Sequence, residues 1–148
     1  MVIDDERAIV AVALRYARSI DTQDPEAFMS CFTPDAAYGL PKLRQTSGIT
    51  LDEVMPFLTN LFSATQHVTT NFEVQIAEDQ ATMRSLYVAT HVWRKKLPDP
   101  LFVMGGYYDD ALVRTDDGWR IRDRLLINSW VTGDRDAIKA AGMSELLE

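Results

Sequence analysis

Three residues of this chain could carry chemistry together: Asp21, His67 and Tyr16. A carboxylate that accepts from one imidazole nitrogen fixes the tautomer of the ring. The other nitrogen is then left as a general base. Asp21 lies just past the end of a predicted helix, and His67 opens a predicted strand in Thr65-Gln66-His67-Val68. Their spacing forces no contact, so a turn-forming acid and a hydrogen-bonded core histidine remain the plain alternatives. Tyr16 stands five residues before Asp21 on the apolar face of the same helix. A phenol there could donate to a substrate oxygen or leaving group, or simply pack in the core. His91 shares strand parity with Tyr87 and Trp93, a mixed aromatic and polar face of the kind that walls a pocket. A structural histidine is the equal alternative.

These residues need elements to hold them. Ala8, Ile9, Val12, Ala13, Tyr16, Ala17 and Ile20 recur on one helical face. Asp24 and Pro25 suit the cap and first turn of a second short helix, running to about Phe32. Ala36 to Leu40 reads as a short strand carrying Tyr38, and Pro41 to Gly48 as a loop. A third helix is expected after Thr50, with Glu53 completing a capping box.

From Thr65 the period changes to two. Four long strands follow: one through Phe72, Val74 and Ile76, then Thr82–Arg94, Phe102–Thr115 and Trp119–Val131. Their connections are short, and Asp116-Asp117-Gly118 is a hairpin signal. Arg120, Arg122 and Arg124 alternate, which predicts a solvated or interface-facing stripe with Trp119, Ile121 and Leu125 turned to the core. The tail from Asp134 could form a helix with a gap at Gly142. Helices first and antiparallel strands after give an α+β fold. Its curved sheet would bend at Gly105-Gly106, with the N-terminal helices closing an apolar pocket.

Composition narrows the field. The 148 residues fit one domain, spanning 1–148. A net charge of −7 opposes nonspecific nucleic-acid or anionic-membrane binding. Cys31 is the only cysteine, so no disulfide or cysteine metal cage forms within the chain. No apolar run approaches a membrane span, and the acidic N-terminus lacks a signal-peptide pattern, so a cytoplasmic protein is expected. Two histidines without a paired metal-binding spacing point to no metal site, and no phosphate loop or nucleophile elbow is present. No cofactor is expected.

Several stretches carry a resemblance. They are Arg15-Tyr16-Ala17-Arg18-Ser19-Ile20-Asp21, Cys31-Phe32-Thr33-Pro34-Asp35-Ala36, Thr65-Gln66-His67 with Asn71, Gly106-Tyr107-Tyr108-Asp109-Asp110, and Arg114 to Ile121. Through them the chain resembles the SnoaL-like branch of the nuclear transport factor 2-like superfamily, within the scytalone dehydratase-like group. The resemblance implies a cone-shaped α+β barrel around a deep apolar pocket, assembled as a homodimer or homotrimer. It implies an Asp–His catalytic dyad at Asp21 and His67. Tyr16 matches a tyrosine of the bacterial bile-acid dehydratases, and His91 a second histidine of fungal scytalone dehydratase. The fungal enzyme has a tyrosine directly before the aspartate, where this chain has Ile20. His91, Tyr38, Asn71 and Tyr108 are the pocket residues expected beside the dyad.

The function expected is a cofactor-free lyase of dehydratase type. It would abstract a proton from a small apolar ring compound, polyketide-like or steroid-like. An isomerase would use the same proton abstraction. A non-catalytic binding or assembly module is the other class, and the position of His67 relative to a closed cavity discriminates them.

Overall fold

The computed structural model describes residues 2–42 and 49–148 of the protein. The expected loop from Pro41 to Gly48 falls mostly outside the described residues. Helix α1 spans Val2–Asp21 and α2 spans Pro25–Met29. Strand β1 (Phe32–Gly39) and helix α3 (Leu51–Leu61) follow. The long strands are β2 (Phe62–Ala77), β3 (Gln80–Trp93), β4 (Leu101–Thr115) and β5 (Gly118–Gly133). Helix α4 (Arg135–Ala140) and a 3₁₀ turn, Ser144–Leu147, end the chain. None of the described helices is long and apolar enough to cross a membrane.

Local chemistry explains most boundaries. Asp24 caps α2 by accepting from the Ala27 N–H at 2.9 Å. Glu53 accepts from the Thr50 N–H at 2.9 Å at the start of α3, as the capping box requires. Helix α2 is shorter than expected, because Phe32 already pairs with Ile121 of β5. Pro34 then sits inside β1, which an edge strand tolerates.

The strand order is β1-β5-β4-β3-β2, with β1 parallel to β5 and the remaining pairs antiparallel. The sheet curves but does not close, so the expected barrel is instead an open half-cone. Its two edges, β1 and β2, do not pair; α1 packs against β2 and β5, and α3 against β2. The concave face and these helices bury one core, which includes Ile9, Val12, Phe28, Phe62, Met83, Phe102, Leu112 and Ile121.

Bulges set which side chains face inward. In β2 the register shifts between Thr70 and Glu73, where Asn71 is left-handed at φ 55°. In β5, Arg122 is the extra residue between Ile121 and Asp123, and Ser129 the extra residue between Asn128 and Trp130. Gly106 lies opposite the second of these. A Cβ on Gly106 would meet the Ile127 carbonyl oxygen, so only glycine lets the strands approach there. The expected bend at Gly105-Gly106 is thus a bulge in the partner strand.

The bulge at Arg122 overturns one expectation. One extra residue reverses every later side chain. Arg124 therefore points into the core and is fully buried, while Leu125 turns to the outer face. Arg122 remains solvated, while Arg120 is half-buried and donates to the Ser30 carbonyl at 2.7 Å.

Candidate active site

Asp21 is the last residue of α1. A carboxylate at a helix C-terminus meets the negative end of the helix dipole, so the helix itself does not favour it. Strand β2 supplies what holds it there. The His67 backbone N–H donates to Asp21 Oδ2 at 2.8 Å, and Thr65 Oγ1 donates to Oδ1 at 2.9 Å. His67 Nδ1 lies 2.7 Å from Oδ1. Burial pushes the Asp21 carboxyl up, but the hydrogen bonds from His67 and Thr65 outweigh it and hold the group below its ordinary range. An ionised carboxylate only accepts, so His67 Nδ1 donates and Nε2 of the neutral ring is bare. Ala89 stands opposite His67 on β3, and its small side chain leaves room in front of the imidazole.

That room belongs to an apolar cavity of about 350 Å³ between the concave sheet face and the helices. His67, His91, Tyr16, Tyr38 and Tyr108 all line it. Ile20, Val54, Phe57, Phe62, Met104 and Leu126 form much of the apolar wall. Met143 and Leu146 reach it from the C-terminal tail.

Tyr16 and Tyr38 share a hydrogen bond at 2.6 Å between their hydroxyls. The Tyr16 ring also meets the His67 ring edge-on, with centres 6.5 Å apart. Burial, more than any other cause, pushes the phenols of Tyr16, Tyr38 and Tyr108 well above their ordinary 10. They remain protonated donors at any working pH. His91 stacks on Phe102 and meets Phe62 at a tilt, with Nδ1 3.2 Å from the Phe102 carbonyl oxygen. Burial, and secondarily the neighbouring His67, push it down to about 4.

Four of the expected companions are therefore in place around the cavity. Asn71 is not. It is exposed, lies outside the cavity lining, and occupies the left-handed position of the β2 bulge. Asparagine tolerates that backbone better than most residues, which gives it a local role.

Tyr87 stands on the strand face expected to wall a pocket, whereas the burial of Asp110 and Arg124 was not anticipated. Tyr87 lines the cavity and stacks on Tyr108, ring centres 4.5 Å apart. Beneath the cavity floor, Arg124 donates twice to Asp110, at 2.7 and 2.6 Å, and both side chains are fully buried. Its guanidinium lies 4.2 Å from the Tyr16 ring centre and 4.1 Å from that of Tyr108. Burial opposes the charge of Arg124, but Asp110 outweighs it, and the group stays ionised. Asp110 carried a signal, since an acid at inward parity between Tyr108 and Leu112 needs a buried cation. Among the described residues, no group of three or more His, Cys, Asp or Glu side chains could hold a metal ion.

The comparisons with known proteins agree with this architecture. The family model of the SnoaL-like domain matches residues 1–125. The chain belongs to this SnoaL-like family. Among curated proteins, the uncharacterized protein Rv2910c of Mycobacterium tuberculosis is 30% identical over 126 residues, covering 83% of this chain and 84% of that one. Among solved structures, Kfla4162 of Kribbella flavida superposes with a TM-score of 0.80 at 23% identity, covering 98% of this chain and 99% of that one. A proposed scytalone dehydratase of Novosphingobium aromaticivorans gives 0.76 at 24%, covering 88% and 87%. The hexachlorocyclohexane dehydrochlorinase LinA Type2 gives 0.73 at 14%, covering 88% of each chain. At these identities the structures establish the shared SnoaL-like fold. The matched model stops at residue 125, while the cavity of this SnoaL-like chain also uses Met143 and Leu146 of the tail.

Proposed function

We propose that the protein is a lyase of dehydratase type, working by proton transfer between side chains. The observation that carries this reading is the 2.7 Å contact of His67 Nδ1 with Asp21, on a ring that lines an apolar cavity. His67 Nε2 would take a proton from carbon beside a carbonyl or similar activating group. The electron pair left behind forms a new carbon–carbon double bond as the carbon–oxygen bond breaks. The departing hydroxide takes a proton from Tyr16 and leaves as water. Tyr38 would steady Tyr16, and the proton on His67 returns to the phenolate to close the cycle. His91 is less suited to the acid role, because it is neutral and its Nδ1 faces Phe102. An isomerase would share the first step and return the proton to a different carbon.

The cavity volume and apolar wall favour a small, mostly apolar ring compound, polyketide-like or steroid-like. General acid–base catalysis contributes ~10²–10⁴-fold. A screen of hydroxy-ketone ring compounds, read by mass spectrometry for loss of water, would find the substrate. Asp21→Asn and His67→Ala should then each lower kcat by about 10²–10⁴-fold in a folded protein. Turnover near the wild-type rate in both variants would falsify the dyad mechanism.

A homodimer or homotrimer is part of the same proposal. Val68, Leu86, Val88 and Trp130 are exposed on the outer sheet face. The Trp130 ring lies against Gly105, where any Cβ would collide with it. An antiparallel sheet normally turns polar residues to water on its outer face, so this apolar patch suits a second copy. Sedimentation of wild type and Trp130→Ser tests it, with a shift toward monomer expected.

A further inference from the structure

The two imidazoles of the cavity stand edge to face, ring centres 5.6 Å apart, and each turns Nδ1 to the protein. For His91 the partner is a backbone carbonyl, that of Phe102 at 3.2 Å. A carbonyl oxygen only accepts, so Nδ1 must carry the hydrogen. The neutral ring then has one feature left, a lone pair on Nε2. Nε2 makes no hydrogen bond among the described residues. Phe102, stacked at 4.8 Å, and Phe62, tilted against the ring at 4.6 Å, pack the imidazole in place. His67 presents a bare Nε2 by the same logic. The cavity thus offers two nitrogen acceptors on one side and the Tyr16–Tyr38 phenols on another.

We infer that His91 is a specificity-determining acceptor, selecting a ring compound that brings its own O–H or N–H donor to Nε2. A ligand without that donor would cover the lone pair with apolar surface and leave it unsatisfied. A hydroxyl-bearing ring satisfies it at no cost to the surrounding structure, and the low proton affinity that burial imposes on His91 keeps the lone pair available. The inference rests on reading the cavity as a substrate site, but binding measured without turnover separates it from the lyase mechanism.

The test uses the full chain and two flat probes, 2-naphthol and 2-methoxynaphthalene. Titration calorimetry should show 2-naphthol binding about tenfold tighter to wild type. His91→Phe keeps the aromatic stack, and should bind both probes alike. His67→Phe should keep the preference. On wild type alone, nitrogen NMR near neutral pH should find the His91 hydrogen on Nδ1, a result independent of any variant's folding. The inference is overturned by a hydrogen on Nε2, by a preference that survives in His91→Phe, or by wild type binding 2-naphthol no tighter than the ether, absence of binding included. Full turnover by Asp21→Asn would instead remove the lyase reading and leave the 2-naphthol preference standing.

Discussion

Asp21–His67 and Asp110–Arg124 are both pairs of a carboxylate with a basic side chain, and the Tyr16 ring touches both. Their surroundings differ. The Asp21 and His67 side chains keep 23% and 6% of their surface exposed, and His67 opens onto the cavity. Asp110 and Arg124 keep none. A base that must take a proton from a substrate needs access and a partner that can gain or lose charge. A guanidinium does neither at working pH. Under the proposed mechanism the upper pair exchanges protons. The lower pair is a fixed charge under the tyrosines that flank it.

The sharpest way to break this comparison is at the sealed pair. Arg124→Leu leaves Asp110 as a buried, uncompensated charge, and should cost about 3–5 kcal/mol of stability in urea unfolding. Replacing both residues by apolar ones should cost much less than the two single changes added together. A loss under 1 kcal/mol for Arg124→Leu would mean that the pair is not sealed in solution.

Acid separates the two faces of the cavity by pH. His91 has its folded value lowered from 6.5 to about 4. The unfolded chain takes up that proton first, so the contribution of neutral His91 is present above about pH 6.5 and lost as pH falls toward 4. The loss amounts to up to about 3 kcal/mol. The Asp21 carboxyl is shifted below its ordinary 3.8, so its contribution is present above that value and is lost only at still lower pH. Stability measured against pH should therefore fall in two windows. His91→Phe should flatten the upper window and Asp21→Asn the lower. An unchanged upper slope in His91→Phe would assign that window to another group.

These two experiments also mark what a sequence can and cannot carry. The inward set Met83, Ser85, Tyr87, Ala89, His91 and Trp93 follows from alternation alone, and all six are buried. Arg124 was misplaced for the opposite reason. A bulge adds one residue without altering the local pattern, so Arg120, Arg122 and Arg124 read as one stripe although Arg122 breaks it. The contact between Asp21 and His67 joins a helix end to a distant strand; residue chemistry suggested the pair, the family resemblance placed it, and no local spacing required it. The parallel pairing of β1 with β5 was not legible, because no local signal announces which distant strand a short edge strand joins.

Tyr16→Phe sharpens the link between the pairs. It removes the hydroxyl shared with Tyr38 while keeping the ring between Arg124 and His67. A fall of about 10²-fold in turnover is expected for loss of the acid, with roughly 1 kcal/mol of stability lost with the hydrogen bond. If turnover is unchanged, another group protonates the leaving oxygen, and Tyr16 serves only as a spacer between the two pairs.

The smallest effect is expected at Asn71, where residue type and position suggest different roles. Its φ of 55° lies in the left-handed region, and its side chain is exposed at the β2 bulge. Glycine adopts that backbone freely, so Asn71→Gly should keep stability within about 0.5 kcal/mol of wild type. Asn71→Val puts a β-branched side chain there and should cost about 1–2 kcal/mol. Neither change should alter turnover, because the bulge lies outside the cavity lining. Asn71→Gly losing activity at unchanged stability would return the residue to the substrate pocket. It would also mean that the β2 bulge moves toward the dyad when the cavity is filled.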